Sequence, residues 1–254
     1  MTRRLLTLFF HELRMQLVSP ATYVAGTLFL CLLGTIHWMA LWEAARDTQD
    51  WLPSENLFRL HWVPALFFVP MLTMRSFAEE RRLGTLAALL TTPVGPHAVT
   101  FTKFAAAYLL YLAFWALALI FPLVAQLSLV GASADPRLLG ATSLTGGFVF
   151  IASSAPLYIA TGLLCSALTR SVQVAGMTAF VAILALLAAN KGIFWLADTH
   201  ETLRWLYAPA ELLNVAKYAE DFARGVIDTR PLLHFGSGAL LALGATSLVV
   251  ESKA

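Results

Sequence analysis

Ala78-Glu79-Glu80-Arg81-Arg82-Leu83-Gly84-Thr85-Leu86 sets four consecutive charges between two long apolar stretches, 57–74 and 104–130. The chain as a whole is 59% hydrophobic and only 13% charged. A charged side chain at the centre of a bilayer costs about 2.5–3.5 kcal/mol on insertion scales. The four charges must therefore reach water, while the segments on either side need not. A chain that alternates in this way threads a membrane, and this stretch lies where it can meet a soluble partner.

Composition carries the same reading to the whole chain. Soluble domains are about 45–50% apolar and ~25% charged, far from the values here, and the mean hydropathy is +0.72. A soluble domain of 254 residues is possible on length, but its surface would lack polar side chains. The net charge of +2 comes without a basic cluster or aromatic-interleaved patch, so no nucleic-acid partner is expected. Cys31 and Cys165 each fall inside an apolar segment without ligand spacing, and read as small packing residues. At the start of the chain, the apolar run after Arg3 and Arg4 is interrupted by His11, Glu12 and Arg14, unlike a cleaved signal.

A spanning helix needs roughly 20 mainly apolar residues. Six segments qualify: 21–42, 57–74, 104–130, 140–168, 172–196 and 232–250. The second carries Arg59, His61, Pro64 and Pro70, and its prolines predict a kink. Ahead of the first span, 3–18 reads as an amphipathic helix. Leu5, Leu6, Phe9, Phe10, Leu13 and Leu17 cluster at helical spacing, with Arg4, His11, Glu12 and Arg14 on other faces. Ser19-Pro20 ends it. The whole of 1–254 is read as one transmembrane domain, with 1–20 as its interfacial helix.

With six spans, both termini share a side with the charged stretch. That side holds Arg3, Arg4, Arg14, Arg75, Arg81, Arg82, Lys103, Arg170 and Lys253 of the seventeen basic residues. Four of the eight opposite belong to one long segment, 198–230, and eleven of the fifteen acids lie opposite as well. The positive-inside rule then places the termini and the charged stretch in the cytoplasm. The outer segment 198–230 reads as helical over 202–207 and 211–222, divided at Ala208-Pro209, with Leu212, Leu213, Val215, Ala216, Ala219 and Phe222 as its apolar face.

No P-loop, HExxH, GxSxG or zinc-spaced Cys/His group occurs, and the six histidines are scattered one per region. Neither an enzyme nor a bound cofactor or metal is expected. Lys103, Arg59 and Lys191 lie near span ends, from which their heads can snorkel to water. Interest returns to 79–90. Its two glutamates fall in the first turn of a helix, where the dipole favours negative charge, and Leu83, Leu86, Leu89 and Leu90 form an apolar stripe. Gly84 weakens that helix by about 1 kcal/mol relative to alanine, which points to a bend or to a close-approaching backbone. Pro93 and Gly95-Pro96 stop it.

Met71 through Leu86, followed by a leucine run and Thr91-Thr92-Pro93-Val94, resembles the cytoplasmic signature of type-2 ABC exporter permeases, closest to the group that includes gliding-motility permeases. Lys103 is similar to the lysine opening that family's next span. Three further pieces resemble the family in order: Glu12-Leu13-Arg14 leading to Ser19-Pro20-Ala21-Thr22-Tyr23, Gly162 to Arg170, and Phe222-Ala223-Arg224-Gly225-Val226-Ile227-Asp228. The chain departs from the pattern at Ala87 and Ala88, at Thr102, and in a short tail, Glu251-Ser252-Lys253-Ala254.

The resemblance implies an all-α polytopic fold with six transmembrane helices, an N-terminal amphipathic interfacial helix, a cytoplasmic coupling helix at 78–93 and short outer helices between spans five and six. It implies that Glu79, Glu80, Arg81, Arg82, Gly84 and Thr85 contact a separate ABC-type ATPase subunit, which carries the ATP and Mg. Pro209, Phe222, Arg224 and Gly225 would belong to an outer-side gate. The expected assembly pairs this chain with a second permease copy or a sister permease, in the lipid of a bacterial inner membrane, with room for an outer-side accessory protein. The output implied is ATP-driven export. A non-transporting membrane anchor or scaffold that recruits a soluble partner through the same charged helix is the alternative. An apolar lining suits lipids, lipid-linked glycans, peptides or drugs alike.

Overall fold

The computed structural model describes residues 2–46, 52–86, 95–129 and 141–252, and among these it contains helices and turns but no strand. The helices are α1 (Thr2–Val18), α2 (Pro20–Ala44), α3 (Pro53–Arg59), α4 (Trp62–Thr73), α5 (Ala78–Leu83), α6 (Pro96–Ala118), α7 (Ile120–Leu129), α8 (Ala141–Leu168), α9 (Val172–Thr199), α10 (Tyr207–Leu212), α11 (Val215–Ala223) and α12 (Thr229–Ser252). A 3-10 turn, Glu201–Leu206, leads into α10.

Five helices among the described residues are long and apolar enough to cross a membrane: α2, α6 with α7, α8, α9 and α12. The second expected span is a bent pair. α3 and the helical stretch that follows meet at 47°, and only as one bent unit are they long and apolar enough to cross. The bend has a local cause at Pro64, which has no N–H to give the carbonyl of Leu60. That carbonyl instead accepts from the Val63 N–H at 3.1 Å, while the Phe58 carbonyl takes the N–H of His61 (3.2 Å) and its Nδ1 (2.9 Å). Nδ1 therefore carries the imidazole proton. Pro122 acts likewise on the third span: the Ala118 carbonyl loses its donor, and the helix breaks at Leu119 between α6 and α7.

Aromatic packing joins these elements. Phe29 of α2 lies 4.6 Å from Phe68 of α4 between ring centres, Phe68 stacks on Tyr111 of α6, and Phe58 of α3 stacks on Trp115. A second hub is Phe150 of α8, with His61, Phe222 and Phe235 around it at 4.9, 5.7 and 6.0 Å. Small residues let the backbones close up. A Cβ on Gly162 of α8 would lie 2.3 Å from Thr73 Oγ1 of α4, and one on Gly146 would lie 2.0 Å from the Phe222 carbonyl oxygen. Outward faces remain apolar, as on α9, where Val174, Met177, Val181 and Leu184 are exposed in one stripe.

α1 packs along α6 through half-buried Leu5, Leu8, Phe9, Glu12, Leu13 and Gln16. The expected polar faces are corrected here. Glu12 shares the i, i+3, i+4, i+7 stripe with Leu5, Leu8 and Phe9, so it faces the protein, while Leu6 and Phe10 face away from it.

The outer segment also differs from expectation. α10 runs through Ala208-Pro209, because proline in a first helical turn forfeits no internal hydrogen bond. The division falls at Leu213-Asn214, where the Asn214 side chain caps α11 by accepting from the Lys217 N–H at 3.1 Å. α11 buries Val215, Tyr218, Ala219, Phe222 and Ala223 against α3 and α8, and Ala216 points outward.

Candidate functional site

α5 starts without a cap of its own, since Phe77 at its N-cap offers no polar side chain. The first turn of any helix leaves N–H groups without partners. Here the partner comes from α8. Ser166 Oγ accepts from the N–H groups of Phe77 and Ala78, both at 3.1 Å, and donates to the Met74 carbonyl at 3.0 Å. Ser166, Phe77 and Ala78 are wholly buried, so no water substitutes for that oxygen. At its other end α5 stops at Gly84, whose φ of +73° is left-handed, with the Gly84 N–H on the Glu80 carbonyl. Thr85 Oγ1 adds a longer bond to the same carbonyl, 3.4 Å.

Between these ends the four charges divide into two pairs. Glu80 and Arg81 turn inward. Arg81 donates to the Ala167 carbonyl (2.6 Å) and the Thr169 carbonyl (3.3 Å), satisfying the open C-terminus of α8. Glu80 Oε1 accepts from Lys103 Nζ at 2.6 Å, and Lys103 also donates to Glu12 Oε1 of α1 at 2.8 Å. The Lys103 side chain is only 2% exposed, and those of Glu12 and Glu80 are 14% and 26% exposed. The Phe77 ring lies 5.4 Å from the ammonium, an added cation–π contact. Three helices thus meet on one buried cation. Deleting one member of such a group strands the others, at a cost of about 3–5 kcal/mol.

Glu79 and Arg82 turn outward instead. They pair loosely at 3.6 Å across one helical turn, with side chains 35% and 60% exposed. Leu83 beside them is 64% exposed, and among the described residues, chain neighbours aside, no atom lies within 4 Å of the space a Gly84 side chain would occupy. Glu79, Arg82, Leu83, Gly84 and Thr85 therefore form one short solvent-facing edge on a clamped helix. Of the two readings of Gly84, the bend is seen in this chain's own backbone. The continuous leucine stripe is likewise corrected: the left-handed turn points Leu83 outward while Leu86 is buried. Leu89, Leu90 and the remainder of the expected helix from Ala87 to Pro93 lie outside the described residues. Lys103, expected to reach water, is held inside by its two carboxylates.

Far from α5, at the other end of the helices, the proposed gate residues fall in one place except Pro209, which sits in the first turn of α10. Phe222 is fully buried against Phe150. Gly225, with φ +83°, closes α11 in a Schellman turn: its N–H meets the Phe222 carbonyl (2.9 Å) and the Val226 N–H meets that of Asp221 (2.8 Å). Arg224 is the residue before that turn, its N–H on the Glu220 carbonyl at 3.0 Å. The α8 backbone at Gly146 presses on this turn, which leaves no room for a side chain. Across the α10–α11 junction, Lys217 and Glu211 pair at 2.6 Å. The pair lowers the Glu211 carboxyl below its usual range and raises Lys217 above its own, chiefly through their hydrogen bond. Tyr207 donates to the Asp198 carboxylate nearby.

Sequence reasoning missed Ser166 and the pairing of Glu12 with Lys103. The second left a trace, because a lysine in an apolar helix needs an acid, and Glu12, Glu79 and Glu80 are acids that the six-span reading puts on the same side as Lys103. Ser166 left none, since a serine in a small-residue run is ordinary. Among the described residues no three His, Cys, Asp or Glu side chains gather as a metal site.

Residues 60–208 match the family described as ABC-2 family transporter protein. The match covers more than half of the 254-residue chain, from the bend at Leu60 through α5 to the start of α10. No curated protein matches the chain.

Proposed function

The chain belongs to the ABC-2 transporter family, whose permeases work with ABC ATPases, and from this we propose that it is the membrane-spanning permease subunit of an ATP-driven exporter. Hydrolysis takes place on a separate polypeptide that docks on the outward edge of α5. The observation that carries this reading is the division of the charged stretch. Glu80 and Arg81 are spent on holding the helix, while Glu79, Arg82, Leu83, Gly84 and Thr85 are left facing solvent on a firm base. Such an edge suits a partner that must push, since a compliant loop would absorb the displacement.

In this reading α5 and both termini lie on the cytoplasmic side of a bacterial inner membrane, and α10 and α11 form the gate on the far side. Opening the gate withdraws Phe222 from Phe150. The exposed apolar stripe of α9 supports pairing with a second copy or a sister permease, and the far-side helices offer a surface for an accessory protein. In the same reading the chain is a permease of the gliding-motility type, a reading supported by the sequence motifs around α5.

The test is copurification in mild detergent, comparing the native chain with the double variant Glu79→Arg, Arg82→Glu. Both residues point away from the protein, so the variant should reach the membrane in native amount. Loss of an ABC ATPase that copurifies with the native chain is the expected result. Full retention of that ATPase, with native ATP turnover, would exclude α5 as its docking edge.

A further inference from the structure

We propose that Lys103 is a positioning residue that locks α1, α5 and α6 into one rigid body, so that a displacement of α5 is delivered to the third span. The proposal rests on α5 being the docking edge and says where its movement goes.

The covalent route out of α5 passes through Gly84, a left-handed residue that ends the helix. The non-covalent route is short. Lys103 lies two turns inside α6 and grips Glu80, 23 positions earlier in the chain, at 2.6 Å. The bond is charge-assisted and largely withdrawn from water, which makes it stronger than the neutral bonds that tie α5 to α8.

The same ammonium also grips Glu12 at 2.8 Å. One cation is therefore shared by two acids that, among the described residues, have no other basic partner within salt-bridge distance, and removing it releases two helices at once. Neither glutamate has that property, since loss of either leaves the other pair closed. This asymmetry identifies Lys103, and neither acid, as the keystone of the cluster. The Phe77 ring and the Ser166 hydroxyl hold the start of α5 against the same point. The docking edge and the third span are consequently joined side chain to side chain at this end of the helix bundle.

The experiment measures rigidity first, on the full permease alone. In a Cys31→Ala, Cys165→Ala background, spin labels at Met15→Cys on α1 and Leu83→Cys on α5 report the distance between the two helices by pulsed electron resonance. A single narrow distribution is expected. In Lys103→Met it should broaden, and the exchange Glu80→Lys with Lys103→Glu should narrow it again. Because Lys103→Met strands two acids, the all-neutral set Glu12→Gln, Glu80→Gln, Lys103→Met is measured beside it. That variant should accumulate normally and still show the broad distribution.

The second measurement uses the complex with the copurifying ATPase. Thiol labelling of Val226→Cys, at the far end, is compared with and without trapped nucleotide. The ratio of rates should depart from one in the native chain and fall to one in the all-neutral variant, with the ATPase still bound. A narrow distribution in the all-neutral variant, its failure to accumulate, or a native labelling ratio in it would each overturn the proposal. Failure of the docking reading shows differently: no ATPase responds to the Glu79 and Arg82 changes, while the spin-label result stands unaltered.

Discussion

Replacing Ser166 with alanine removes one oxygen and should unseat a helix on another part of the chain. Three groups lose their partner: the N–H of Phe77, the N–H of Ala78 and the carbonyl of Met74. Each unsatisfied buried group costs about 1–3 kcal/mol. The two N–H groups share one acceptor, so the three losses do not add in full, and about 2–4 kcal/mol is expected for opening the first turn of α5. At 1.4 kcal/mol per factor of ten, that is roughly a 30- to 700-fold rise in the local opening equilibrium. Hydrogen exchange read by mass spectrometry on peptides covering 74–83 measures it directly. Amides of α5 should exchange faster by that factor, while those of α2 and α12 stay unchanged. Ser166→Cys, which keeps a weaker acceptor, should fall between. A change below about threefold in Ser166→Ala would refute the reasoning, for it would mean that α5 holds its first turn without α8.

Two further outcomes are expected. Gly146→Ala forces a methyl against the Phe222 carbonyl, which belongs to backbone and cannot rotate away, whereas Gly162→Ala meets a Thr73 side chain that can turn. The first should lower the thermal midpoint in detergent by about 2–10 °C and the second by less; the reverse order would contradict the close approach of α11 to α8. The Lys217–Glu211 pair gives a pH dependence. The lowered Glu211 value means that its contribution is present above the ordinary carboxylate range and disappears as acid takes the pH down through that lowered value. The raised Lys217 value means that its contribution is lost only as the pH climbs through it in alkali. The difference in thermal midpoint between the native chain and Lys217→Gln should thus be flat around neutrality and shrink in acid; a difference that persists unchanged into strong acid would remove the pair from the account.

Apolar segment length was enough to find the crossing helices, because burial in lipid demands a long uninterrupted run and little else produces one. Pro64 marked where the second span would deform, while Pro122 went unread, and the angle of 47° depends on which carbonyls find new donors. The charged stretch was legible as an aqueous element between spans. Its division into inward and outward pairs was not, since that depends on partners 86 and 88 positions away for Arg81 and 91 positions away between Lys103 and Glu12. Local rules also misled at Pro209, which reads as a breaker until its place in the first turn of a helix is known. Gly84 was the reverse case: one residue, read locally as a bend, turned out to end the helix because only a left-handed position lets the chain leave there.

The cap that α5 borrows from Ser166 also sets a timetable for biosynthesis. Ribosomes add about 5–20 residues per second, and 89 positions separate Phe77 from Ser166, so the exposed lever leaves the translation machinery about 4–18 s before the hydroxyl that steadies it. In the docking reading proposed above, a soluble ATPase would find only a fraying turn during that interval. On that reading the newborn chain is unfit for its ATPase until α8 has been made, and a truncated product lacking that helix would be passed over instead of being built into an assembly that burns ATP to no purpose.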